Sequence, residues 1–202
     1  MSFEEIMNKL SWHIKYAKDN YVPIIRSESA KFLYNFVLSN NVKTVLEIGT
    51  AIGYSGSIML SAGIKRLVTI DINKSNQDIA IDTFENLGFK DFVETICEDA
   101  KTVLPKLIER NEKFDMIFLD GAKGQYIYYL PNLIELLNEN GIIFADNVLL
   151  QGMVESREKI PHRKRTMVVN LRKYLARVEE KDFETRLIRL EDGIAISKYI
   201  GG

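Results

Sequence analysis

One cysteine, four prolines, one tryptophan and two histidines among 202 residues leave this chain short of several kinds of chemistry. The lone Cys97 excludes an internal disulfide and suits a reducing compartment, where it reads as a small buried apolar side chain in a strand. His13 sits in a helical stretch and His162 in a basic loop, and neither has metal-ligand spacing, so a zinc centre of the His/Cys kind is excluded. No apolar run approaches the length of a membrane span, and the first residues lack the basic, apolar, small-residue pattern of a secretion signal. The expectation is a cytoplasmic protein with no membrane association. At this length it forms a single domain, residues 1–202, large enough to bury a sizeable core.

Net charge is scarce too, at −1, but it is unevenly spread. Between Gln151 and Arg177 eight Lys/Arg stand against two acids, so that segment is +6 and the rest of the chain −7. Such a patch fits either an anionic partner or a solvated helix face.

What the chain does have is organised around Thr44-Val45-Leu46-Glu47-Ile48-Gly49-Thr50-Ala51-Ile52-Gly53-Tyr54-Ser55. A β-branched apolar run ends in two glycines four apart, and residues 53–62 read as a helix, which predicts strand, tight turn and helix N-terminus. Gly49 and Gly53 let backbone approach a ligand where a Cβ would collide. A dinucleotide turn would carry G-x-G-x-x-G for a pyrophosphate; here the spacing is G-x-x-x-G and Glu47 would repel phosphate. The next strand, Leu67-Val68-Thr69-Ile70-Asp71, ends in a carboxylate about twenty residues on, where ribose hydroxyls are held in folds of this kind. Two carboxylates without a phosphate cage suit a ligand with ribose and a sulfonium or ammonium, S-adenosylmethionine.

Along the chain, Phe3, Ile6, Met7, Leu10, Ile14 and Ala17 predict one amphipathic helix to about Lys18. Pro23 makes the approach extended, and Ser27 opens a helix to about Leu38. Residues 1–40 thus form a helical cap on a core spanning 43–202. Strands ending at Asp71, Cys97, Asp120 and Asp146 alternate with helices over about 74–87, 100–110 and 125–137. These near-continuous apolar runs specify a parallel sheet covered on both faces, which binds ligands at its strands' carboxyl ends. Runs 183–190 and 194–200 predict an antiparallel hairpin at one edge. Residues 148–164 form the one long irregular stretch.

Asp120 and Asp146-Asn147 each end an apolar strand, Met116-Ile117-Phe118-Leu119-Asp120 and Ile142-Ile143-Phe144-Ala145-Asp146-Asn147. Two carboxylates and an amide oxygen are hard donors, too few for calcium and enough for magnesium. The acids also suit helix caps or ribose ligands, a reading that explains the Asp-Asn pair less well. Lys123, three residues past Asp120, would serve as a base near a bound cation.

The Glu47 to Ser55 motif, the run Asp120-Gly121-Ala122-Lys123-Gly124-Gln125-Tyr126 and the run Asp146-Asn147-Val148-Leu149-Leu150-Gln151-Gly152-Met153-Val154 resemble the motifs of the metal-dependent, catechol-type class I O-methyltransferases. The likeness extends from about Val22 to the terminal hairpin. Within that family the Lys-Gly-Gln-Tyr run, the Val22-Pro23-Ile24 approach and Arg163-Lys164-Arg165 look most like the bacterial tRNA 5-hydroxyuridine methyltransferases. The resemblance implies a Rossmann-like α/β fold, a mostly parallel seven-stranded sheet with helices on both faces and a C-terminal antiparallel hairpin. It implies that Glu47, Gly49, Ser55 and Ile25 line the methionine end of S-adenosylmethionine, that Asp71 holds its ribose and that Asp99 and Ala100 flank its adenine. Asp120, Asp146 and Asn147 would bind Mg2+ or another divalent cation, with Asp120 also beside the cofactor, and Lys123 would be the base. Arg163, Lys164 and Arg165 would grip tRNA near its anticodon. Asp71 stands where many relatives have glutamate, and Ile25 where some have methionine. A homodimer is implied as well, although the first helix's apolar face suits its own sheet equally. Two other readings remain open, an O-methyltransferase of small catechol-like phenols and an RNA-binding scaffold with a vestigial fold.

Overall fold

The run Thr44–Ile48 forms β1, and its last four residues are all buried, the continuous burial of a strand covered on both faces. β2 (Arg66–Asp71) lies parallel to it, with Val45 opposite Leu67 and Ile48 opposite Ile70. β3 (Val93–Cys97) extends the parallel ladder and sets Cys97 opposite Asp71. As the last residue of an edge strand, Cys97 is exposed rather than buried as expected. This computed structural model describes residues 1–201, in two compact units, Met1–Ala100 and Lys101–Gly202.

In the first unit, α1 (Phe3–Lys9), α2 (Ser11–Asp19) and α3 (Ser27–Ser39) precede β1, while α4 (Tyr54–Ser61) and α5 (Lys74–Asn86) follow β1 and β2. The single first helix expected from sequence is two. Leu10, fully buried, leaves helical geometry at φ −91° and ψ 7° and ends α1 where α2 begins. The expected face survives the break only in part: Ile6, Leu10 and Ala17 are buried, Phe3 and Met7 are half-buried, Ile14 is exposed, and His13 takes an inner position instead. Ser2 and Glu5 form a reciprocal cap that fixes the start of α1.

In the second unit, α6 (Ala100–Glu109) leads into β4 (Phe114–Leu119), and α7 (Tyr126–Leu136) into β5 (Leu137–Ala145), parallel to β4. β5 begins four residues before the expected Gly141. The last helical residue hands directly to Leu137 at ψ 141°, and Leu137 pairs with Phe114; a register shift between Phe114 and Met116 absorbs the polar Asn138-Glu139-Asn140 run that reads as a turn. α8 (Arg165–Val178) was hidden by its charges, yet Val168, Leu171, Tyr174 and Val178 form a buried stripe at helical spacing.

β6 (Phe183–Ile188) and β7 (Ile194–Tyr199) make the expected hairpin, with β7 antiparallel to β5. The strand order is β3-β2-β1-β4-β5-β7-β6, a mostly parallel seven-stranded sheet with an antiparallel end. That is the Rossmann-like architecture expected from sequence.

The hairpin turn gives the loop after Asp146 its course. Val148 N–H donates to Gly193 O at 3.0 Å and Leu149 N–H to Asp192 O at 2.9 Å. Gly193 has φ +80°, and a Cβ there would collide with the Leu149 side chain. Only glycine meets both demands. Among the described residues no helix is long and apolar enough to cross a membrane.

Candidate functional site

In the first unit the site is a turn between β1 and α4. Gly49 (φ +109°), Ala51 (φ +43°) and Gly53 (φ +78°) take left-handed backbone conformations. Gly49 and Thr50 N–H groups both donate to Ile70 O, folding the turn over the end of β2. Asp71 holds it there: Oδ2 accepts from Ala51 N–H and Oδ1 from Asn73 N–H, each at 2.8 Å. Asp71 is half-buried at the strand tip, the place expected of a ribose ligand, and each of its oxygens accepts one backbone donor.

Glu47 is fully buried. Its Oε1 accepts from the Ser55 hydroxyl at 2.5 Å and its Oε2 from the Thr69 hydroxyl at 2.6 Å. Thr69 has then used its one proton, so the 2.6 Å contact between Thr50 and Thr69 hydroxyls is a donation from Thr50. The chain Thr50, Thr69, Glu47, Ser55 ties turn, β2, β1 and α4 together, and it compensates a carboxylate that burial would otherwise make costly. Gly56 makes room for it, since a Cβ there would stand 3.2 Å from Glu47 Oε2. Thr50 and Thr69 were missed from sequence; apart from their places in the turn motif and in β2 they carry no signal. Ile25 is buried just before α3, and Asp99 is exposed before buried Ala100 opens α6.

In the second unit, Asp120 follows β4 and Asp146 follows β5. Lys123 Nζ donates to Asp120 Oδ1 at 3.1 Å, with side chains only 18% and 14% exposed. Asp146 is fully buried, and neither of its carboxylate oxygens has a partner in good hydrogen-bond geometry, the Asn147 backbone N–H lying near enough only to favour the charged form weakly. Burial, and next the neighbouring charge of Asp120, push the Asp146 carboxyl up to about 7, with the Asn147 backbone N–H and Lys123 pulling less strongly the other way. Burial raises Asp120 as well, opposed by Lys123. Two adjacent carboxylates, one with both oxygens orphaned inside the protein, form an arrangement that a cation would complete. Among the described residues no three His, Cys, Asp or Glu gather to hold a metal; Asn147, next in sequence to Asp146, carries a further oxygen donor in its amide. Asn147 sits at φ +55°, a conformation asparagine tolerates better than most residues. The donors are all hard oxygens, which fits a magnesium-like ion.

Tyr126 is the missed residue of this half. Fully buried at the start of α7, its hydroxyl lies 2.9 Å from Leu119 O and 3.5 Å from Asp146 O. It closes the run that begins at Asp120, so its position is legible in the sequence although its role is not.

The basic segment divides. Arg172 donates to Val154 O, Met153 O and Ser156 O, clamping the loop after Asn147, and Arg177 pairs with Asp182. Arg163 and Lys164 lie in a single 3-10 turn, His162–Lys164, that runs into α8 at Arg165; Arg163 and Arg165 are exposed. The irregular stretch is therefore held along part of its length rather than loose.

The chain is similar to known proteins along nearly its whole length. A family model described as O-methyltransferase matches residues 3–200. A caffeoyl-CoA O-methyltransferase of Eucalyptus globulus is 30% identical over 183 residues, 86% of this chain and 74% of the relative. One from Nicotiana tabacum is 30% identical over 184 residues, 86% and 76%. A Staphylococcus aureus crystal structure, of a candidate caffeoyl-CoA O-methyltransferase, superposes with TM-score 0.85 at 28% identity over 98% of this chain and 93% of its own. A Bacillus cereus O-methyltransferase in complex with SAH shares the fold, with TM-score 0.83 at 23% identity over 98% and 92%.

Proposed function

The chain belongs to the S-adenosylmethionine-dependent O-methyltransferases, and we propose that it methylates, with a divalent cation, a hydroxyl flanked by a second oxygen, the 5-hydroxyl of 5-hydroxyuridine at the first anticodon position of tRNA. The observation that carries the cation is Asp146, buried with both oxygens unpartnered beside Asp120. Bound by Asp120, Asp146 and Asn147, a magnesium ion would hold the two neighbouring oxygens and stabilise the hydroxyl's anion near neutral pH.

The chain's own residues do the rest. The turn from Gly49 to Gly53, with Ser55, Ile25 and Asp71, receives the methyl donor, and Asp99 and Ala100 flank its adenine. Lys123 Nζ, an ammonium while it donates to Asp120, would hold the acceptor's oxyanion, and could serve as base only after giving up its own proton. The buried networks around Glu47 and Tyr126 fix these groups before substrate arrives, so that positioning supplies much of the acceleration.

The exposed Arg163 and Arg165, with Lys164 between them, support an RNA acceptor. Replacing all three with alanine should weaken tRNA binding and flatten its salt dependence while S-adenosylmethionine affinity stays the same. Nucleoside mass spectrometry of tRNA from cells with and without the gene tests the substrate: 5-hydroxyuridine should accumulate without it. The relatives' names favour a second reading, a small catechol-like phenol as acceptor. Side-by-side methyl transfer to bulk tRNA and to caffeate-type phenols separates the two, and Asp146→Ala or a chelator should abolish either.

A further inference from the structure

On the first unit, α1, α2 and α5 border a cavity of about 400 Å³ lined by Lys9, Trp12, His13, Asp82, Thr83 and Asn86, among others, with the Thr83 hydroxyl also 3.4 Å from Ile52 O in the turn from Gly49 to Gly53. Trp12, the chain's one tryptophan, is 52% exposed there and stacks on Tyr16 at 4.8 Å with the rings 28° apart. From Lys9 to Lys18 the sequence holds three lysines and no acid, and Lys9, Lys15 and Lys18 are exposed without an ion pair among the described residues.

His13 adds a polar feature. It is 8% exposed, and its Nε2 lies 2.7 Å from the Thr83 hydroxyl. That hydroxyl also reaches Ile79 O at 2.7 Å and Ile52 O at 3.4 Å, an arrangement that a proton on Nε2 would suit. Nδ1 is buried without a hydrogen-bond partner. Asp82 and Asn86 at the rim offer further acceptors and one amide donor pair.

We propose that this cavity binds an unpaired nucleobase of an RNA strand, stacked on Trp12, with Lys9, Lys15 and Lys18 along the strand's phosphates. A flat ring with donors and acceptors on its edge matches the indole, Asn86 and Asp82 together. A chain of phosphates matches the acid-free lysine stretch, the combination of aromatic platform and basic track by which single strands are held. The proposal rests on the RNA reading of the acceptor and adds a contact separate from Arg163, Lys164 and Arg165.

Because Trp12 is the only indole, its fluorescence reports on this site alone. Titrating the full chain with a short single-stranded RNA should quench it, whereas an abasic strand of equal length and charge should not. Trp12→Ala should weaken binding of fluorescein-labelled RNA about tenfold, Trp12→Phe should restore most of it, and S-adenosylmethionine affinity should be unchanged in both. Equal binding of the abasic strand, RNA affinity indifferent to Trp12→Ala, or Trp12 emission that shifts with protein concentration alone, as when a second copy covers the surface, would each overturn the proposal. If RNA affinity depends on Arg163, Lys164 and Arg165 but not on Trp12, only this site falls. If Trp12 stacks on RNA while cellular tRNA shows no dependence on the gene, the site stands and the tRNA substrate falls.

Discussion

The Tyr126 hydroxyl donates to the carbonyl of Leu119 at 2.9 Å, and the same carbonyl accepts the Asp146 N–H at 2.9 Å. One oxygen therefore joins the end of β4, the end of β5 and the first turn of α7, so a buried phenol reinforces the strand pairing that spaces the two acids. Tyr126→Phe keeps the ring's packing and removes only the tether. It should cost about 1 kcal/mol in denaturant unfolding and raise the apparent Mg2+ dissociation constant several-fold, by roughly the lower end of what outer partners of a metal site contribute. Unchanged magnesium affinity would make Tyr126 purely structural.

The metal-free protein should lose stability as pH rises. Asp146 has a carboxyl pushed up to about 7 in the folded chain, against about 3.9 for an unfolded aspartate. Between those values the folded state binds more protons than the unfolded one, so unfolding free energy falls with pH and levels off above about pH 7. Thermal melts with EDTA should follow that slope. Melts with magnesium should show stabilisation that is small below about pH 6 and full above about pH 8, because protons and cation compete for the same carboxylate.

Asp146→Asn should separate stability from activity. Removing a buried charge next to Asp120 should stabilise the metal-free chain at pH 8, on the order of 1–3 kcal/mol, while methyl transfer disappears and S-adenosylmethionine still binds by calorimetry. A destabilised variant would mean that Asp146 has a partner already.

Thr69→Val is nearly isosteric but strips Glu47 Oε2 of its donor. The cost should be about 1–3 kcal/mol, the desolvation penalty of an unsatisfied buried group. Affinity for S-adenosylmethionine should also fall, because the Gly49 turn and Ser55 lose their common anchor. Thr69→Ser, which keeps the hydroxyl, should recover both.

β2, β4 and the second half of β5 were legible as apolar runs, and their functional tips because those runs stop at Asp71, Asp120 and Asp146. Helix limits were less so: Leu10 fits a helical face whether or not the helix continues through it, and the Asn138-Glu139-Asn140 run is polar yet lies within β5. The Glu47 network escaped because its members lie up to 22 residues apart and meet only once β1 and β2 pair. The count of basic residues overstated the patch, since charge alone does not reveal that Arg172 and Arg177 are engaged within the protein.

The tight fit of Gly193 under Leu149 makes the loop beyond Asn147 depend on a hairpin about forty residues further along. A ribosome that has released everything through Asn147 has made both acids but not the hairpin that steers the loop beyond them. A chain cut before residue 190 should fail to organise that loop, so both acids can be in place while the segment that follows them still wanders.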